Sequence, residues 1–95
     1  ELYQSKFLGL ERAVKISPIK FALNNKIKFT VHNDAPIIPL RLNFPLQIAW
    51  SAVNRITLSG KVVGPELRIP VYSALEALTI NAAWQGKEEK SKGSI

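Results

Sequence analysis

The sequence predicts an α/β protein that is mostly helical with one central strand. A run of residues alternates between apolar and polar side chains, which is the period of a β-strand: Ile27, Lys28, Phe29, Thr30, Val31 and His32. On both sides of this run, apolar residues recur at helical spacing. With 95 residues, 46% of them hydrophobic and 21% charged, the chain is at most one domain with a modest core.

Composition excludes several classes of function. The chain has no cysteine, which removes thiol nucleophiles, disulfides and thiolate metal sites, and His32 is its one histidine. A catalytic zinc generally takes three protein ligands, so a complete metal site from this chain alone is not expected. No apolar run is long enough to span a bilayer, so no membrane partner is expected. The compartment is undecided, with the cytoplasm favoured.

The net charge of +6 raises the question of an anionic partner. The lysines and arginines are spread along the chain without a stripe, which favours a solvated basic surface over a nucleic-acid site. The densest charge run, residues 87–92, mixes both signs and predicts an exposed connector.

Residues 1–26 predict a loop followed by a short helix. Gly9 is a helix breaker, and the pair Glu11 and Arg12 is open to two interpretations, a local salt bridge or a substrate contact. The helix is expected to begin with Ser17 as N-cap and Pro18 at the first helical position. It is expected to end at Asn24-Asn25, where residues that tolerate a left-handed conformation follow each other.

Residues 27–34 are the predicted strand, with Asp34 on the same side as His32 if the strand persists to that point. The polar side of an ordinary half-buried strand faces water, whereas in a barrel strand it can face the mouth of the barrel. His32 and Asp34, whose side chains can bind a metal, would then lie together at the mouth of the barrel. The run 33–36, Asn-Asp-Ala-Pro, is also a good turn signal in which the Asn and Asp side chains bond the backbone, and the residues alone favour that interpretation.

Residues 35–60 predict an extended, proline-rich loop and then an amphipathic helix from about 46 to 58, with Trp50 on its buried stripe. Residues 61–95 predict a further helix, starting near Pro70 and running towards Trp84, followed by the connector. The chain lacks methionine and opens on Glu1 within what reads as ordinary sequence, so we expect a piece of a longer protein.

Three groups of residues, considered together, resemble one known family. They are FTVHNDAP at 29–36; AVNR at 52–55 with SG at 59–60 and GPELRI at 64–69; and ALEALTINAAW at 74–84 with KGSI at 92–95. They are similar to motifs of the carboxyl-terminal part of the metal-dependent amidohydrolase superfamily, specifically family 3, the N-substituted formamide deformylase-like group. In that group the first motif, H-S/N-D-A-P, ends strand eight of the barrel.

The resemblance implies a (β/α)8 barrel enzyme, of which this chain would be a carboxyl-terminal fragment comprising the last β/α units and a following helix. It implies that Asp34 is the strand-eight aspartate, which binds the metal or carries a proton from water to the leaving nitrogen. His32 and Asn33 would support Asp34 or line the pocket. The implied cofactor is a divalent metal, with zinc favoured, held by the longer parent and not by this fragment alone.

The interpretation favoured by the sequence is therefore a fragment of a metal-dependent hydrolase that acts on non-peptide carbon–nitrogen bonds of amide type, inactive by itself. Its expected partners are the remainder of the barrel, a small-molecule substrate and, through exposed edges, a second copy of the fragment. The alternative is a stand-alone basic α/β module that binds an anionic partner.

Overall fold

The computed structural model describes residues 6–33 and 44–94, and their regular elements are helical. The elements, in chain order, are α1 (Leu10–Ala13), α2 (Ile19–Asn24), α3 (Pro45–Asn54), a 3₁₀ helix (Pro65–Leu67), α4 (Val71–Leu78) and α5 (Ile80–Gln85). None of the helices in these ranges combines the length and the apolar character needed to cross a membrane.

The core lies where α3 packs against α4, and it is built from small side chains. Ala49 and Ala52 of α3 meet Ala74 of α4, which is fully buried, and Ile69 closes the cluster. Alanine lets two helices approach closely, so the contact is dense without large residues. Larger apolar side chains surround this cluster at partial burial: Ile19, Leu23, Phe29, Val53 and Leu78.

The predicted central strand is not confirmed. Residues 27–33 carry no strand assignment, and the one isolated bridge among the described residues joins Ile56 to Val62. A strand exists only when a second extended segment accepts its ladder of hydrogen bonds, and the described residues contain no such neighbour for this segment. The alternating pattern therefore indicates the local backbone preference but cannot supply the partner. Residue 34, the last of the predicted strand, lies outside the described residues, as does the first part of the proline-rich loop.

Helix ends differ from the prediction in two places. Helix α3 stops at Asn54 rather than near residue 58, because Arg55 adopts a left-handed conformation, with φ 53° and ψ 46°. The predicted third helix is divided at Thr79, whose φ of −116° and ψ of −90° are not helical. At the break the Leu75 carbonyl oxygen accepts two hydrogen bonds from Thr79, one from the backbone N–H at 3.0 Å and one from the hydroxyl at 2.8 Å.

The beginning of α2 also differs from the prediction, whereas its end agrees. Ser17 is not the N-cap: it has a left-handed φ of 54°, Pro18 takes the capping position, and no side chain caps the helix. The helix ends at Asn24, as expected. Gly9, predicted as a breaker, immediately precedes α1 with a φ of 71°. Residues 87–92 are exposed, as predicted for a connector.

Trp50 was predicted to lie in the core, and this prediction is wrong, since the residue is 48% exposed. Helix α3 has apolar residues on more than one side, and the side that faces α4 carries Ala49 and Ala52. The close alanine contact selects that face, so the larger Trp50 and Leu46 remain outside it.

Candidate active site

The candidate site residues lie at the end of residues 27–33, which follow α2 without regular secondary structure and which we call the extended segment after their strand-like sequence pattern. His32 is exposed and borders a cavity of about 540 Å³ whose walls come mainly from α2 and α3, including Ile19 and Ala52. Asn33 is half-buried and borders a different hollow of about 500 Å³, beside Trp50. Thr30 and Val31 border the same cavity as His32, so the chain runs along that cavity before it reaches the second hollow at Asn33.

Asp34, the predicted catalytic and metal-binding residue, lies outside the described residues. Its role and the supporting roles of His32 and Asn33 therefore stay predictions. Within residues 6–33 and 44–94, no three side chains of His, Cys, Asp or Glu come together as a metal site would require. The described residues therefore do not make up a complete metal site by themselves.

The extended segment is held from two sides. The Phe29 side chain packs against the alanine core, while its carbonyl oxygen accepts a hydrogen bond from Asn81 Nδ2 of α5 at 3.0 Å. The next residue, Thr30, donates from its hydroxyl to Oε1 of Gln85 at 3.0 Å. The segment therefore contacts α5 at Phe29 and Thr30, before the backbone reaches His32.

A cation–π contact also joins the segment to α5, one residue before Phe29. The Lys28 Nζ atom lies 4.6 Å from the centroid of a Trp84 ring, a distance at which the ammonium is attracted to the ring face. Lys28 and Thr30 are both on the polar side of the alternating pattern, and both contact α5.

A second structured region, which we call the Arg55 joint, lies beside the cavity. It consists of Arg55 and the four backbone carbonyl groups that accept hydrogen bonds from its guanidinium group. Arg55 Nε donates to Val63 at 2.8 Å, and Nη1 donates to Ser17 at 3.2 Å. Nη2 donates to Ile16 at 2.8 Å and to Val14 at 3.4 Å. One side chain thus ties the chain after α1 to the chain after α3.

Burial lowers the pKa of the Arg55 guanidinium from its ordinary value, and the negative charge of Glu66 acts in the opposite direction. Gly64 belongs to the same region: it has a left-handed φ of 58°, and a Cβ atom at this position would collide with the Val14 carbonyl oxygen. The motif residues Arg55 and Gly64 therefore have a structural explanation that is independent of chemistry at the site.

Glu11 and Arg12, for which the sequence left a salt bridge or a substrate contact open, are both exposed on α1. Adjacent residues of a helix do not face each other, so the geometry does not favour a salt bridge between them.

The family that the sequence motifs resemble is supported by a match to a family model. The model of the family described as "Amidohydrolase family" matches residues 1–95. The chain belongs to this amidohydrolase family, and membership implies that it forms part of a (β/α)8 barrel.

Among curated proteins, the chain is similar to the N-substituted formamide deformylase of Arthrobacter pascens, with 28% identity over 82 residues. The alignment covers 86% of this chain and 15% of the relative, so the chain spans only about 15% of that protein's length. No solved structure matches the chain.

Sequence reasoning did not assign a task to Arg55, Asn81 or Gln85. A signal was available for the first two, because both lie inside the motifs that resemble the family. The carbonyl groups that they bind come from distant parts of the chain, at separations of up to 41 residues for Arg55 and 52 for Asn81. Such pairs follow no local spacing rule.

Proposed function

We propose that this chain is the part of a metal-dependent amidohydrolase that supplies the aspartate at the end of the last barrel strand, and that the enzyme hydrolyses a non-peptide carbon–nitrogen bond of amide type. The observation that carries the proposal is the family match over all 95 residues, which includes the His32-Asn33-Asp34-Ala35-Pro36 run. In this proposal, residues 27–34 become a paired strand when neighbouring barrel strands lie on both sides.

Asp34 would act at the reacting bond as a carboxylate that takes a proton from the attacking water and returns it to the leaving nitrogen. A carboxylate held at hydrogen-bond distance performs both transfers, since the amine leaves easily only after protonation. A bound divalent cation, with zinc favoured, supplies acidity to water in this class of chemistry. One carboxylate cannot hold a catalytic metal, so the other ligands would come from outside this chain.

The proposed substrate class rests on the relative, which is named an N-substituted formamide deformylase. At 28% identity, the relative is a better guide to the bond that reacts than to the substituent on its nitrogen. We therefore propose a small molecule with an amide-type bond. N-substituted formamides with substituents of different size are the first compounds to test.

We further propose that the remainder of the barrel covers apolar side chains that this chain exposes. Phe44 is 65% exposed and Leu46 is 71% exposed at the start of α3, and Leu58 is 81% exposed in the turn that follows the helix. Large apolar groups exposed together mark surfaces that meet another part of a structure. By the same reasoning, the isolated chain is expected to self-associate. No observation specifically favours the alternative of a stand-alone module for an anionic partner.

The proposal is tested with Asp34→Asn in the enzyme that contains this chain, assayed on N-substituted formamides. Loss of the proton carrier should lower kcat by about 10²-fold or more, and circular dichroism should show an unchanged fold. Glu89→Gln is the matched control, because it removes one carboxylate from the exposed connector and should leave turnover unchanged.

Retained turnover in Asp34→Asn would remove this residue from the mechanism. A second arm uses the 95-residue chain alone with added zinc or manganese. We expect no turnover, and stoichiometric metal binding with turnover would contradict the proposed dependence on ligands from outside the chain.

A further inference from the structure

Helix α5 contacts the extended segment with residues from one of its faces. Asn81 and Gln85 are four positions apart, so they lie on the same side of the helix, and both reach the segment. The two contacts differ in kind: Gln85 binds the side chain of Thr30, whereas Asn81 binds the backbone of Phe29.

A hydrogen bond to the backbone restrains the path of the chain, while a bond between two side chains leaves rotamer changes available. The Asn81 bond is partly buried and lies beside the place where the Phe29 side chain packs against the core. The backbone at Phe29 is therefore held by its side chain on one side and by its carbonyl group on the other.

From this fixed point the chain reaches His32 in three residues and Asn33 in four. A fully extended chain advances about 3.3 Å per residue, so the length of chain from Phe29 to these side chains is at most on the order of 10 Å. A small change in direction at Phe29 is thus transmitted directly to the end of the segment.

We propose that Asn81 is a positioning residue for the active site, which fixes the direction in which residues 29–33 deliver the end of the segment. The inference rests on the proposed function, because it needs that end to belong to the site of reaction. Its physical basis is that a displacement of about 1 Å in a catalytic group can cost about 10²-fold in rate.

The kinetic test uses Asn81→Asp in the enzyme that contains this chain. The carboxylate has the shape of the amide but cannot donate to the Phe29 carbonyl group. Asp is also favourable near the beginning of a helix, where residue 81 lies, so the variant should fold. We expect kcat to fall about 10-fold with KM unchanged, and Asn81→Gln, which keeps the donor, to recover part of the loss.

The matched control is Asn54→Asp. Asn54 makes the same kind of bond, from Nδ2 to the Trp50 carbonyl oxygen at 2.9 Å, but this bond lies within α3 itself. Its loss should leave kcat unchanged. An equal decrease of kcat in both variants would overturn the proposal, because it would indicate a general effect of removing an amide.

Hydrogen–deuterium exchange gives a readout that does not depend on activity. The peptide that contains residues 29–33 should exchange faster in Asn81→Asp than in the parent enzyme, and at the parent rate in Asn54→Asp. Unchanged exchange in Asn81→Asp would overturn the proposal, and so would faster exchange with unchanged kcat.

The two proposals can fail separately. Full activity of Asp34→Asn would remove the proposed catalytic residue, while the exchange measurement would still report whether Asn81 holds the segment.

Discussion

The Arg55 joint and the extended segment 27–33 lie beside the same cavity but are stabilised in different ways. In the joint, one guanidinium group donates to four backbone carbonyl groups, all supplied by the described part of this chain. In the segment, the backbone has no strand partner among the described residues, and it is held by the Phe29 packing and by contacts with α5. The donor and the acceptors of the joint all lie within the described residues, whereas the segment has no strand pairing among them.

This difference separates two kinds of motif residue. Arg55 and Gly64 are motif residues that shape the connection between α1, α3 and the following turn. His32 and Asn33 border hollows and are not among the residues that form the core or pack against it. Residues of the first kind should affect the free energy of unfolding, and residues of the second kind should affect activity.

The largest effect on stability is expected for Arg55→Met. The substitution keeps much of the side-chain volume but removes the donors, which leaves the carbonyl groups of Val14, Ile16, Ser17 and Val63 without this partner. We expect the free energy of unfolding in urea to fall by about 3 kcal/mol, the upper part of the range for bonds to a charged donor.

Arg68→Met is the matched control for that variant. Arg68 Nε donates to the Asn54 carbonyl oxygen at 2.9 Å, and the residue is exposed. The decrease should be about 1 kcal/mol. Equal decreases in the two variants would mean that the joint contributes no more than an ordinary surface hydrogen bond.

A smaller effect is expected for Gly64→Ala, compared with Gly60→Ala. Both glycines have positive φ, 58° and 83°, so both variants carry backbone strain. Only at Gly64 does the new Cβ also meet a backbone atom, the Val14 carbonyl oxygen, whereas at Gly60 nothing lies within 4 Å. We expect a loss of about 2 kcal/mol at position 64 and about 1 kcal/mol at position 60, measured by urea unfolding. A larger loss at position 60 would contradict the described close approach in the joint.

The smallest effect is expected for Lys28→Gln, which removes the cation from the Trp84 ring at the start of the segment. An exposed cation–π contact contributes about 0.5 kcal/mol, so the thermal midpoint should fall only slightly. Glu88→Gln is the control, because it removes an exposed ion pair, Glu88 Oε1 to Lys92 Nζ at 2.9 Å, that is expected to contribute about 0.3 kcal/mol. A midpoint that does not change in Lys28→Gln would show that this contact does not help to hold the segment on α5.

Much of the helical part of the structure could be predicted from the sequence, because helices depend on local spacing. The beginning of α3 after Phe44 and the end of α2 at Asn24 agree with the sequence patterns, whereas α1 lies in residues for which a loop was predicted. The family could also be predicted, since its motifs can be recognised as strings of residues, and the family match confirms it.

The candidate site was predicted only as a set of residue types at one end of a segment. The structure places His32 and Asn33 at the borders of two different hollows, which residue types alone cannot specify. It also places Asn81 and Gln85 of α5 on this segment, and neither had been assigned to it, because more than 50 residues separate the partners.

By itself, the sequence determined that helices form close to where α2 and α3 lie, and to which family the chain belongs. The tertiary structure decided the remaining features. The alanine face of α3 enters the core and leaves Trp50 outside, and Arg55 joins segments 38 to 41 residues apart. Residues 27–33 lie on α5 without a strand partner in the described part of the chain. The physical reason is the range of the interactions. A helix satisfies its hydrogen bonds within four residues of sequence, whereas strands, side-chain joints and buried faces depend on atoms that only folding brings near.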